Sequence, residues 1–237
     1  MPEVWDFSTD EVSKDGEFIL EFLESQKESE RNMWEFTKWT CQAILEFQDL
    51  QSISFPKHGK WFNINYLFFE GLSVLREAFL CGINGQTHAS FATLRAGLEI
   101  ITTHYWWKEK GFSEQNYSQF YDWLRGNSRS IPFAKIIDDT FRDLEIPTTI
   151  LSKDDFMSIY SQLCSYAHKP IKSEALTTIR GSNLSEPSVA QCIYWLRLTC
   201  ATIQTILYLM IARDPICLFP VPQYKKFGFS PPVGVFF

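Results

Sequence analysis

A chain of 237 residues with 45% hydrophobic and 16% aromatic content can bury a full core, which excludes a disordered protein. Its net charge of −6 argues against a nucleic-acid binder only if the acidity is spread along the chain. It is not: residues 1–30 hold ten Asp/Glu against two Lys, which leaves +2 for the rest. The six cysteines, at 41, 81, 164, 192, 200 and 217, show no C-x-x-C spacing and sit among apolar residues. That is the usage of reduced, buried thiols in a cytoplasmic protein. The acidic start Met1-Pro2-Glu3-Val4-Trp5-Asp6 is unlike a signal peptide.

In chain order, residues 1–50 read as an acidic N-terminal helical segment. Ser8-Thr9-Asp10-Glu11 has capping-box form. Phe18, Ile19, Phe22 and Leu23, then Trp34, Phe36, Trp39, Ile44, Leu45 and Phe47, recur at helical spacing. Pro56 and Gly59 mark a loop over 51–60. A helical hairpin follows, with helices over about 63–81 and 86–109 joined by a short turn bracketed by Gly82 and Gly85. Gly111 closes it. Shorter helices are expected over about 114–125 and 132–144, separated by Gly126-Asn127-Ser128-Arg129-Ser130.

Ser152-x-x-Asp155 caps a further helix that runs to His168 and is stopped by Pro170. A polar connection over 171–186 leads to Ser185-Glu186-Pro187, which starts the last long helix, ending near Arg213. Within it Leu198–Ala212 is uncharged, but 15 residues fall short of the ~20 a bilayer requires. A buried bundle helix explains it, and no membrane association is expected. Five prolines keep residues 214–237 from being helical, and Phe219, Tyr224, Phe227, Phe229, Phe236 and Phe237 must pack on the bundle or on a partner. The fold class is therefore all-α. The chain reads as a bundle of six to eight helices around a central antiparallel hairpin, over residues 63–213, with an irregular aromatic tail.

The hairpin carries charges within strongly apolar runs: Glu70, Arg76 and Glu77 on its first helix, His88, Arg95 and Glu99 on its second. A buried charge is costly unless paired, so these six residues need partners. With the turn near 83–84, facing residues sum to about 167, which puts Glu70 within reach of Arg95 or Glu99. His88, Arg95 and Glu99 fall within about 40° of one helix face. The expectation is a Glu70–Arg95–Glu99 network with His88 on the same strip. It serves either as a lock on helix register or as a pocket of ionisable groups. Ala92, Ala96 and Gly97 let the two backbones approach. His104, before Tyr105-Trp106-Trp107, reads as a partly buried interface residue rather than a ligand. His168 stands at a helix C-terminus, which favours its protonated form.

Phosphate-binding loops, dinucleotide fingerprints, nucleophile elbows and zinc-protease signatures are missing. No Glu-x-x-His occurs, so neither a di-iron bundle nor another metal site is expected, and no cofactor is implied.

Thr93-Leu94-Arg95-Ala96-Gly97-Leu98-Glu99, followed by Tyr160-x-x-Leu163-x-x-Tyr166-x-His168-x-Pro170, resembles a group of functionally unassigned prokaryotic proteins. Their helical domains are similar to HEPN domains, and the resemblance covers residues 63–212. It implies a helical bundle, often a homodimer, in a superfamily rich in RNA-cleaving toxins and defence proteins. Active members carry Arg, four to six residues, then His on one helix, and cut RNA without metal where two such pairs meet. Here none of His58, His88, His104 and His168 follows an Arg at that spacing. Arg95 and His104 lie about 180° apart around their helix. The resemblance thus implies a non-enzymatic or degenerate HEPN-like module that interacts with a partner protein or senses RNA or a nucleotide in defence or stress. The alternatives are a metal-independent ribonuclease and a purely structural subunit. The ribonuclease would use Arg95 at the phosphate, His168 as acid or base, and Glu99 or Glu70 to orient Arg95.

Overall fold

The computed structural model describes residues 60–110, 114–128, 131–143, 151–168 and 189–213. The expectations for residues 1–50 and 214–237 lie outside the described residues. Six helices follow in order: α1 (Lys60–Ile83), α2 (Thr87–Glu109), α3 (Glu114–Leu124), α4 (Phe133–Asp143), α5 (Lys153–His168) and α6 (Val189–Arg213). Among the described residues there is no strand, so the all-α expectation holds.

The turn between α1 and α2, Asn84-Gly85-Gln86, hinges on Gly85 rather than on both flanking glycines. The φ of 76° at Gly85 is a left-handed conformation that costs glycine nothing. Gln86 N–H donates to Cys81 O at 2.8 Å and Gly85 N–H to Gly82 O at 3.0 Å, the paired bonds of a Schellman cap. Gly126, at φ 71°, ends α3 with the same bond pattern. At the start of α5, Ser152 Oγ accepts the Asp155 N–H at 3.0 Å and donates to its carboxylate at 2.6 Å, as the Ser-x-x-Asp spacing predicts.

Gly82 has a different task from the one the sequence implies. It lies inside α1, and a Cβ there would collide with the Trp195 indole. Trp195 is 1% exposed, stacks edge-on against Phe79 at 5.5 Å, and donates its Nε1–H to Ser90 Oγ at 2.7 Å. Ser90 Oγ in turn donates to Ala78 O at 2.6 Å. One hydroxyl thus ties α1, α2 and α6 together. Further along the hairpin, Cβ atoms built at Gly71 and Gly97 would stand 2.5 Å from Ile101 and 2.7 Å from Leu75. The backbones approach there because side chains are missing.

α1 buries a single stripe, Leu67, Phe68, Leu72, Leu75, Ala78, Phe79 and Ile83, at the spacing of one helix face. α2 is the central element and packs against α1, α4, α5 and α6. It is one-sided up to Ile100 and fully enclosed from Ile101 to Lys108, where eight consecutive residues are buried. In that enclosed stretch two buried hydroxyls are satisfied within the helix: Thr102 donates to Leu98 O at 2.7 Å and Thr103 to Glu99 O at 2.7 Å. The uncharged run of α6 is likewise interior, with Ile203, Ile206, Leu207, Leu209 and Met210 fully buried. Each such side chain contributes about 1.5–3 kcal/mol. Among the described residues, no helix is long and apolar enough to cross a membrane.

Candidate functional site

Of the charged strip expected on the hairpin, Arg95 and Glu99 pair with each other along α2 and are met by Tyr160 of α5 rather than by a residue of α1. Arg95 Nε donates to Glu99 Oε1 at 2.8 Å, and Tyr160 Oη donates to the same oxygen at 2.6 Å. The guanidinium carbon lies 5.9 Å from the Tyr160 ring centroid. Burial opposes the Arg95 charge, but the bond to Glu99 and its carboxylate outweigh it and hold the guanidinium pKa above its ordinary value. Burial, then the bond to Glu99, pushes the Tyr160 hydroxyl far above the usual phenol range. Arg95 therefore stays charged and Tyr160 neutral across neutral pH.

Glu70 and Glu77 are exposed, while Arg76, His88, Arg95 and Glu99 are partly buried. The expected partnership of Glu70 with Arg95 is therefore corrected. Positions 70, 73 and 77 fall opposite the buried stripe of α1, so their side chains leave the core.

His88 joins an aromatic group instead of the ion pair. Its ring meets Tyr166 at 6.0 Å, and Phe91, Tyr166 and Tyr194 close the cluster. His88 Nε2 is buried and has no hydrogen-bond partner among the described residues. His104 is 2% exposed and packs on Phe68 at 5.4 Å, more deeply than the partly buried role expected of it.

Contacts of Glu99 with Tyr160 and of Phe91 with Tyr166 show that α2 and α5 are antiparallel. By that register the backbone of residue 168 lies level with residues 88–90. At 1.5 Å per residue it is about 9 Å along the axis from Arg95. His168 is the last residue of α5, and its side chain lies outside the described residues.

A second site has no counterpart in the sequence reading. The end of α2, α3, the turn after it and the start of α4 enclose a pocket of about 600 Å³. Trp106 and Trp107 form its floor, at 5% and 3% exposure, and Trp123 is partly open. Lys110 and Lys135 bring two positive charges and Asp122 one negative. Lys110 Nζ stands 4.2 Å from the Trp106 ring centroid, held by the indole face. The Trp107 Nε1–H, also buried, has no acceptor among the described residues.

The pocket floor is braced from behind. Trp106 Nε1 donates to Asp139 Oδ2 at 3.0 Å, and Arg142 Nη2 donates to Asp139 Oδ1 at 2.7 Å. Burial favours a neutral Asp139, but the bonds from Trp106 and Arg142 outweigh it and hold the carboxyl below the usual carboxylate range. The signal for this site was in the sequence as Trp106-Trp107-Lys108-Glu109-Lys110, aromatic residues interleaved with bases. Trp123 and Lys135 are too far along the chain to join it by pattern.

Among the described residues, no three His, Cys, Asp or Glu side chains gather as a metal site. No known family, curated protein or solved structure matches this chain.

Proposed function

We propose that the chain is a non-catalytic, HEPN-like helical module that senses RNA or a nucleotide and passes the event to a partner protein or a second copy of itself. The observation that supports this reading is the closure of the Arg95 site. A ribonuclease needs a guanidinium that is offered to phosphate and an imidazole poised to move a proton. Here Glu99 takes the Arg95 charge, and Tyr160 occupies the same carboxylate oxygen. A carboxylate that already neutralises the cation competes with any phosphate for it. The prokaryotic defence or stress setting rests on the HEPN resemblance alone.

The test is RNA turnover by purified protein in chelator-containing buffer, beside an Arg95→Ala variant. The expected result is RNA retention without cleavage, equal in both proteins. Cleavage that disappears in Arg95→Ala would overturn the reading in favour of the ribonuclease. Light scattering addresses the homodimer, with an expected mass twice the 27.7 kDa chain.

A further inference from the structure

We propose that the tryptophan–lysine pocket binds a nucleoside 5′-monophosphate group, either free or as the 5′ end of an RNA strand. The proposal rests on the sensing reading above and gives it a location away from the Arg95 strip. The base lies on the Trp123 indole, the phosphate between Lys110 and Lys135, and the ribose hydroxyls beside Asp122.

Four properties of the pocket select this class of ligand. Its volume, about 600 Å³, is that of a small-molecule site rather than a packing defect. Its apolar wall is indole, and Trp123 keeps part of its ring open toward the cavity it lines, which suits a planar ring. Two lysines against one aspartate give the lining a net positive charge, which suits an anion and opposes a cation in the aromatic cage.

The fourth property is the mixture of polar groups. A simple anion would gain nothing from the Asp122 carboxylate, whereas a nucleotide carries hydroxyl donors for it. The Gln119 amide, also in the lining, offers a donor and an acceptor to a base edge. The floor is already rigid: Trp106 is pinned by Asp139, and Trp107 packs edge-on against Phe120 at 5.3 Å. Little ordering is then required on binding.

The experiment is calorimetric titration with AMP, GMP, CMP and UMP, against adenosine, which lacks the phosphate, and inorganic phosphate, which lacks the base. Expected is saturable binding of at least one mononucleotide, with both fragments about tenfold or more weaker. Lys110→Gln and Lys135→Gln, both exposed positions that leave the core untouched, each weaken it by about tenfold. Trp123→Ala, checked for helix content by circular dichroism, weakens it at least as much.

Two oligoribonucleotides, one with a 5′-phosphate and one with a 5′-hydroxyl, separate the sources. Preference for the phosphorylated end places the group on a strand; binding of mononucleotides alone makes it a free metabolite. Equal mononucleotide affinity in wild-type, Lys135→Gln and Trp123→Ala proteins overturns the assignment. RNA retained undiminished by all pocket variants also overturns it, while leaving the sensing reading intact. No binding of any nucleotide or RNA overturns both.

Discussion

Tyr160 donates its hydroxyl to Glu99 across the α2–α5 interface at 2.6 Å, between residues 61 positions apart. Because that oxygen also accepts Arg95, the tyrosine acts on the ion pair as well as on the carboxylate. Tyr160→Phe should cost about 1 kcal/mol in chemical denaturation. Glu99→Ala should cost about 1–3 kcal/mol, since it strands a partly buried guanidinium and a phenol. A double-mutant cycle between Tyr160→Phe and Glu99→Gln should show coupling of about 0.5–2 kcal/mol. Additive effects would mean that the shared oxygen is not a shared interaction.

The two glycine environments make opposite demands. At Gly82 the backbone is helical and the obstacle is the Trp195 indole, so Gly82→Ala must displace a buried ring. The expected cost is about 1–3 kcal/mol or more, with a change in tryptophan fluorescence. At Gly126 nothing lies within 4 Å of an added Cβ, and only the φ of 71° resists. Gly126→Ala should cost about 1–2 kcal/mol without altering core fluorescence. If both variants disturb the fluorescence alike, the Trp195 contact is not what Gly82 protects.

Ser90 is the smallest residue with the widest reach. Ser90→Ala removes the acceptor of the buried Trp195 N–H, which water cannot replace. A loss of about 1–3 kcal/mol is expected from thermal or urea unfolding. Ser90→Thr keeps the hydroxyl and should recover stability only as far as the added methyl fits. A neutral Ser90→Ala would show that the three-helix tie is ornamental.

Asp139 links stability to acid. Its folded pKa is depressed, so its contribution is complete above the ordinary carboxylate value of about 3.9 and fades as pH falls through the lower folded value. Asp139→Asn should therefore be less stable than wild type near neutrality. The gap should close below about pH 4, as followed by urea midpoints. A gap that stays constant down to pH 2 would mean that the charge on Asp139 does not stabilise the fold.

Helix positions were legible because each signal is local. The hairpin expected over 63–81 and 86–109 is found as Lys60–Ile83 and Thr87–Glu109, and Ser152-x-x-Asp155 caps the helix it was expected to cap. Apolar spacing and glycine conformation act within one or two turns, so a sequence displays them directly. The same local reasoning found Arg95 and Glu99, four residues apart on one face. It assigned Glu70 to them wrongly, because position 70 falls on the exposed face of α1, opposite its buried stripe.

The sequence by itself determined the all-α class, the hairpin, the caps and the buried, uncharged character of the last helix. These follow from periodicity and from backbone preferences of single residues. Only the tertiary structure decided which helix completes the Arg95–Glu99 pair and why Gly82 must be glycine. It alone decided that Trp106, Trp107, Trp123, Lys110 and Lys135 share one cavity. Each of those relationships joins different helices. The angles and registers at which helices pack come from the whole core at once, and no short stretch of sequence carries them.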